Sequence, residues 1–268
     1  MDNLKGIKFK KSLGQNFIFD KNLLAAIVGD AGITATDTVL EAGAGAGTLT
    51  AELAKKAGRV IAVEIDRDLV PVLTANLTGF ANVEIVFADI LKLTHQKIAQ
   101  ITSGTFKVVA NLPYYITTPI IFHFLEGALD IRNMTVMVQK EVAERIIACP
   151  GSKTYGALSM SVQSRADVYL TRAVKRSVFV PSPDVDSAVV RIDIKRPFDP
   201  LLSKVIRGLF AMRRKTVLNN LCGALNLSRD AAIAVLSAAR VPPDSRAEQL
   251  TQNEVRAIAQ EYKNFNAN

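Results

Sequence analysis

Asn111 ends an apolar run in the segment VVANLPYYITTP, residues 108–119, and is followed by Leu112, Pro113 and two tyrosines, Tyr114 and Tyr115. A side-chain amide, a main-chain carbonyl and an aromatic ring at one strand tip suit an exocyclic amine on a flat base. Asn111 and the Leu112 carbonyl can accept the two amine hydrogens, and Tyr114 offers a face on which a base stacks. Pro113 supplies no backbone donor and fixes the turn. The lone pair of an adenine N6 is delocalised into its ring, so acceptors aimed at its hydrogens favour the tetrahedral nitrogen that attacks. No titrating base is required, in keeping with a chain whose only histidines are His95 and His123. An ordinary β-turn with core tyrosines is the competing reading of NLPYY taken alone.

Three further strand ends carry groups of the same kind. The run EAGAGAGTLT places glycines at 43, 45 and 47, where glycine lets the backbone turn tightly and approach a ligand. Thr48 stands where a dinucleotide fingerprint needs glycine, so the pattern is GxGxG and hydride transfer is disfavoured. Glu64, in VEID, lies 17 residues after Gly47 and can accept from both hydroxyls of a ribose. Asp89, in FADI, can accept from an adenine amino group or cap a helix. Glycine turn, ribose acid and adenine acid in that order describe a nucleoside site.

Such groups need a scaffold that brings strand tips together. Between residues 38 and 139 the β-rich runs TVLEAG, RVIAVEI, VEIVFAD, FKVVANL and MTVMVQ alternate with helical patterns. That alternation predicts an α/β, Rossmann-like domain with a mostly parallel sheet, whose ligands bind at the carboxyl ends of the strands. After DSAVVRIDI the segment KRPFDP marks a boundary, and the remainder is helical by its apolar period. The predicted division is 1–194 for the α/β domain and 195–268 for a small all-α domain.

Composition narrows the partners. The 268 residues carry a net charge of +8, and residues 195–268 hold twelve Lys and Arg against six Asp and Glu. An excess concentrated there points to a polyanion such as nucleic acid, against the plainer reading of a solvated surface. Within it Arg213, Arg214 and Lys215 are consecutive; on a helix they would spread over roughly 200°, so not all three could face one partner. Cys149 and Cys222 form no CxxC pair, and with two histidines neither a disulfide framework nor a metal site is indicated. No apolar run reaches the ~20 residues of a membrane span and the start lacks a secretory core, so a soluble cytoplasmic protein is expected. Lys10 and Lys11 suggest an N-terminal arm that orders over cofactor or RNA, with a disordered end as the alternative.

Taken together, SLGQNF at 12–17, EAGAGAGTLT, VEID, NLPYYITTP and FVPSPDVDSAVV at 179–190 resemble the motifs of the rRNA adenine N6,N6-dimethyltransferases, in particular the bacterial enzymes of the small subunit. QKEVAERI, SKTYGALS and FAMRRKTVLNNL are similar to further segments of that family, and the resemblance covers nearly the whole chain. Ala42, Ala44 and Ala46 depart from its commoner bulky or proline residues; Gly43, Gly45 and Gly47 are kept. The resemblance implies a class I S-adenosylmethionine-dependent fold and methylation of two adjacent adenosines near the 3′ end of 16S rRNA. It implies that Gln15, Asn16, Ile18, Gly43, Gly45, Glu64, Ile65, Asp89 and Asn111 line the cofactor. Tyr114 and Phe179 would hold the target adenine between them, with Asn111 and Leu112 bonding its N6 and Phe179 at the pocket rim. Arg213, Arg214 and Lys215 would dock a monomer on the 30S subunit. A large-subunit rRNA adenine methyltransferase conferring antibiotic resistance, a DNA adenine methyltransferase, and a non-catalytic RNA-binding assembly or transcription factor remain the alternatives.

Overall fold

The computed structural model describes residues 14–212 and 214–267. Lys10, Lys11 and Arg213 lie outside the described residues. By contact the chain divides into two units, residues 1–143 with 167–194 and residues 144–166 with 195–268.

The first unit is built on strands β1 (Phe17–Ile18), β2 (Thr38–Ala42), β3 (Arg59–Glu64), β4 (Val83–Phe87), β5 (Phe106–Asn111), β6 (Ile131–Gln139), β7 (Ala166–Val174), β8 (Phe179–Val180) and β9 (Ser187–Ile194). Seven of them form one sheet in the order β4-β3-β2-β5-β6-β9-β7. The pairs β3–β4, β2–β3, β2–β5 and β5–β6 are parallel and β6–β9 is antiparallel. The five runs that periodicity marks as strands are β2 to β6. Val39, Leu40, Val60, Ile61, Val108 and Val109 are fully buried, as expected when helices cover both faces of a parallel sheet. Each such side chain contributes roughly 1.5–3 kcal/mol by leaving water. The helix α1 (Lys21–Asp30), whose first turn is capped by the Asp20 carboxylate, and α2 (Thr48–Ala54) supply Leu24, Ile27, Leu49 and Leu53 to the core on one face.

Strand order reverses between β2 and β5: β3 and β4 follow to one side of β2, and β5 returns to the other. The loops at these carboxyl ends therefore diverge and leave a crevice. A separate two-stranded pairing, Phe17 with Val180 and Ile18 with Phe179, ties the N-terminal segment to the loop before β9.

The second unit resumes at Lys195 but also takes in a segment that the sequence reading put in the α/β domain. Residues 144–166, including α7 (Ala157–Gln163), belong with the C-terminal helices α8 (Pro200–Leu209), α9 (Val217–Leu225), α10 (Arg229–Ala238) and α11 (Gln252–Ala267). The reason is packing. Ala148, Tyr155 and Met160 share one apolar cluster with Val205, Leu209, Leu221, Leu236 and Ile258. The Tyr155 hydroxyl donates to the Leu250 carbonyl at 3.1 Å, and burial pushes its pKa up to about 12.

A second correction concerns the basic triplet. Arg214 and Lys215 stand in the turn between α8 and α9, not on a helix. The buried Asn220 holds that turn: its amide nitrogen donates to the Leu209 and Met212 carbonyls at 2.7 and 3.3 Å, and its oxygen accepts from the Met212 N–H at 3.2 Å. Thr216 then caps the restart by accepting from the Asn219 N–H. No helix among the described residues is long and apolar enough to cross a membrane.

Candidate functional site

The crevice is a cavity of about 230 Å³, and its walls come from the strand tips. Gly43 and Gly45 follow β2, Glu64 and Ile65 end β3, Asp89 follows β4, Asn111, Leu112 and Tyr114 end β5, and Gln15, Asn16 and Ile18 enter from the N-terminal segment. These eleven sequence-predicted residues are brought together.

The glycine turn is demanded by geometry. Gly43, Gly45 and Gly47 have φ of 83°, 58° and 78°, a region that costs other residues. A Cβ on Gly45 would stand 3.1 Å from the Phe17 ring, and one on Gly47 only 2.8 Å from Leu73. The Gly43 and Ala44 N–H groups both donate to the Val63 carbonyl, which pulls the loop across β3. Ala42, Ala44 and Ala46 are all buried, so the residues between the glycines fill the core under the turn.

Glu64 is buried, and its carboxylate accepts from the Gly45, Ile65 and Asp66 N–H groups at 2.7–2.8 Å. About four lone-pair positions exist on a carboxylate, so in this arrangement room for about one further donor remains, where the sequence reading expected both ribose hydroxyls. Burial raises its pKa, and those amides pull it back. Asp89 accepts from the Leu91 N–H at 3.0 Å, so the capping role that sequence left open is realised in a residue that also lines the cleft.

At the tip of β5 the side-chain amide of Asn111 is oriented by its neighbour, because its nitrogen donates to the Asn16 carbonyl at 2.9 Å. Its oxygen and the Leu112 carbonyl meet no hydrogen-bond donor among the described residues. Both acceptors at the tip of β5 therefore have capacity to spare. Tyr114 is fixed by a 2.5 Å contact of its hydroxyl with the Ser187 hydroxyl.

The sequence reading put Phe179 at the pocket rim; here the ring is buried. It is only 2% exposed, packs in the core with Met137 and Val189, and is not among the residues lining the cavity. Its ring meets Tyr114 edge-on, centroids 6.5 Å apart at 74°, leaving no parallel slot for a base between them. The pairing of β8 with β1 draws Phe179 inward and leaves its neighbour Val180 outside. Arg214 and Lys215 are exposed residues of the second unit.

Sequence reasoning missed Glu41 and Tyr115, which also line the cavity. Glu41 is fully buried, bonded to the Thr50 hydroxyl at 2.6 Å, and burial, with a smaller push from Glu64, drives its pKa up to about 8. The signal available was an acid inside the otherwise apolar strand TVLEA. The cavity carries Glu41, Glu64 and Asp89 but, among the described residues, no Lys, Arg or His. With no lining cation, the carboxylates of Glu64 and Asp89 fit a nucleoside bearing positive charge and are a poor host for a pyrophosphate.

A model of the family described as ribosomal RNA adenine dimethylase matches residues 6–264. The chain belongs to that family. Among its relatives, one from Clostridioides difficile named ribosomal RNA small subunit methyltransferase A is 43% identical over 94% of this chain and 90% of its own. Among solved structures, a dimethyladenosine transferase from Plasmodium falciparum superposes with a TM-score of 0.77 at 27% identity, covering 93% of this chain and 98% of that one. The 23S rRNA methyltransferase ErmE superposes with a TM-score of 0.69 at 26% identity, covering 92% and 100%. The fold is the Rossmann-like one of class I methyltransferases, with C-terminal helices added.

Proposed function

We propose that this chain transfers methyl groups from S-adenosylmethionine to N6 of two adjacent adenosines near the 3′ end of small-subunit 16S rRNA, in the cytoplasm, during maturation of the 30S subunit. The observation that carries the reading is the cleft: the carboxylates of Glu64 and Asp89 without a lining cation, next to two unused acceptors at the tip of β5. When bound, S-adenosylmethionine supplies a methyl group already activated on a positively charged sulfur. What remains for the protein is chiefly alignment.

Gln15, Asn16, Ile18, Gly43, Gly45, Glu64, Ile65 and Asp89 hold the cofactor in this reading. The Asn111 oxygen and the Leu112 carbonyl accept the hydrogens of N6, which loses one proton for each methyl gained. Tyr114 supports the base, while Phe179 supports Tyr114 from the core. Bringing an adenine out of its stack costs a few kcal/mol, and contact with an aromatic face returns ~1–3 kcal/mol. Arg213, Arg214 and Lys215 supply phosphate contacts for a monomer docked on the subunit.

The large-subunit reading is weaker, since the small-subunit relative shares 43% identity and the 23S methyltransferase 26%. The deciding experiment incubates the chain and labelled S-adenosylmethionine with small subunits lacking the modification, with large subunits and with duplex DNA. Two adjacent dimethyladenosines should appear in the small-subunit RNA alone. Preferential labelling of either other substrate sinks the proposal.

A further inference from the structure

Tyr114 and Tyr115 are neighbours on a 3-10 turn, Tyr114–Ile116, where three residues complete a turn and adjacent side chains leave at roughly 120° to one another. They consequently serve different ends of the cleft. Tyr114 faces Ser187 and Phe179. Tyr115 lies against the N-terminal segment: a Cβ on Gly14 would stand 3.0 Å from its ring. It lines the cavity yet is 54% exposed. Burial raises its pKa, and so do the charges of Asp89 and Glu64.

An exposed tyrosine by itself needs no explanation. The position of this one does, because Glu64 and Asp89 end β3 and β4 while Gly14–Ile18 supplies the opposite wall. Its ring lies against Gly14 of one wall and lines the same cavity as the two acids of the other, the nucleoside end in the cofactor reading. We infer that Tyr115 is a cofactor-binding residue whose ring covers the sugar and base of S-adenosylmethionine and, through Gly14, keeps the N-terminal segment across that end. The inference rests on the cofactor reading of the cleft. It divides the two tyrosines: Tyr114 serves the target base and Tyr115 the cofactor. The neutral hydroxyl of Tyr115 can donate a hydrogen bond without adding charge, and the ring excludes water from the ribose.

Calorimetry with S-adenosylhomocysteine on the full chain tests this. Removing an aromatic interaction of ~0.5–1.5 kcal/mol corresponds to a dissociation constant about 2- to 12-fold higher for Tyr115→Ala, whereas Tyr115→Phe should stay close to the parent. The chain has five tyrosines and no tryptophan, so tyrosine emission is readable. The change that S-adenosylhomocysteine causes in the parent's emission should shrink in Tyr115→Phe, a readout that holds even where the alanine variant fails to fold. A folded Tyr115→Ala with parental affinity for S-adenosylhomocysteine overturns the inference, all the more if it binds small subunits less tightly, for the ring then belongs to the RNA surface. A parent that takes up no S-adenosylhomocysteine overturns the cofactor reading and this inference with it, whereas parental uptake with an unaffected alanine variant overturns the role of Tyr115 alone.

Discussion

Asn111 has its nitrogen committed to the Asn16 carbonyl and its oxygen uncommitted, so changes at this residue separate orientation from acceptance. Asn111→Ala should abolish methyl transfer while thermal unfolding stays near parental; near-normal turnover would contradict the acceptor role and admit a mechanism without it. Such a variant that still binds small subunits also distinguishes an enzyme from a factor that only binds RNA. Glu41 gives a pH-dependent expectation. Its pKa is raised from 4.5 to about 8 by burial, so the folded chain keeps a proton that the unfolded chain loses as pH rises between those values. Stability from this residue is complete below the unfolded value and is lost as pH climbs towards the folded one. Glu41→Gln, uncharged throughout, should therefore gain in urea midpoint over the parent on going from about pH 5 to about pH 8. A difference independent of pH would show that the carboxyl is ionised in the fold. For the rings, Tyr114→Ala should lower methyl transfer more than cofactor affinity, while Phe179→Ala should chiefly lower stability, by ~3–5 kcal/mol for a buried ring. Denaturation and turnover measured on both variants check the assignment; a stable but inactive Phe179→Ala would return that ring to the base.

Elements decide where these residues stand. The turn between β2 and α2 depends on glycine at three left-handed positions, and a methyl at Gly47 would collide with Leu73 on α3 (Val70–Leu77). In the second unit Asn220 makes three hydrogen bonds within the α8–α9 turn. Asn220→Ala leaves the buried Leu209 carbonyl without its donor, while the Met212 carbonyl keeps the Lys215 N–H; the loss costs ~1–3 kcal/mol and should lower the urea midpoint of the chain. An unchanged midpoint would mean that water replaces the amide. The two elements differ in legibility. EAGAGAG announces its turn because only glycine tolerates that backbone, whereas FAMRRKTVLNN reads as helix since its propensities are helical. A single buried amide eight residues after Met212 interrupts it, and no local pattern reports a contact of that kind.

For the whole molecule the test is electrostatic. Each cation that meets a phosphate releases counterions on binding, so removing one flattens the slope of log affinity against log salt by ~0.7–0.9 for every phosphate left unneutralised. Replacing Arg213, Arg214 and Lys215 by alanine should weaken binding to small subunits and reduce that slope, with cofactor affinity unchanged. Equal slopes would return the +8 chain charge to solvation. Because Arg214 and Lys215 stand in a turn, helical spacing places no limit on how many of the three meet RNA.

By itself the sequence determined the alternating strands and helices, the glycine turn, the acids at the ends of β3 and β4 and the acceptor pair at the end of β5. Each of these is written locally: apolar periodicity marks an element, and a polar residue where a run stops marks its tip. Tertiary structure alone decided that residues 144–166 pack with the C-terminal helices, that Phe179 goes to the core, and that Glu41 joins Glu64 and Asp89 around one cavity. These outcomes depend on contacts between segments far apart in the chain. The β1–β8 pairing turns Phe179 inward, a strand order that reverses at β2 opens the crevice, and burial against neighbours raises the pKa of Glu41.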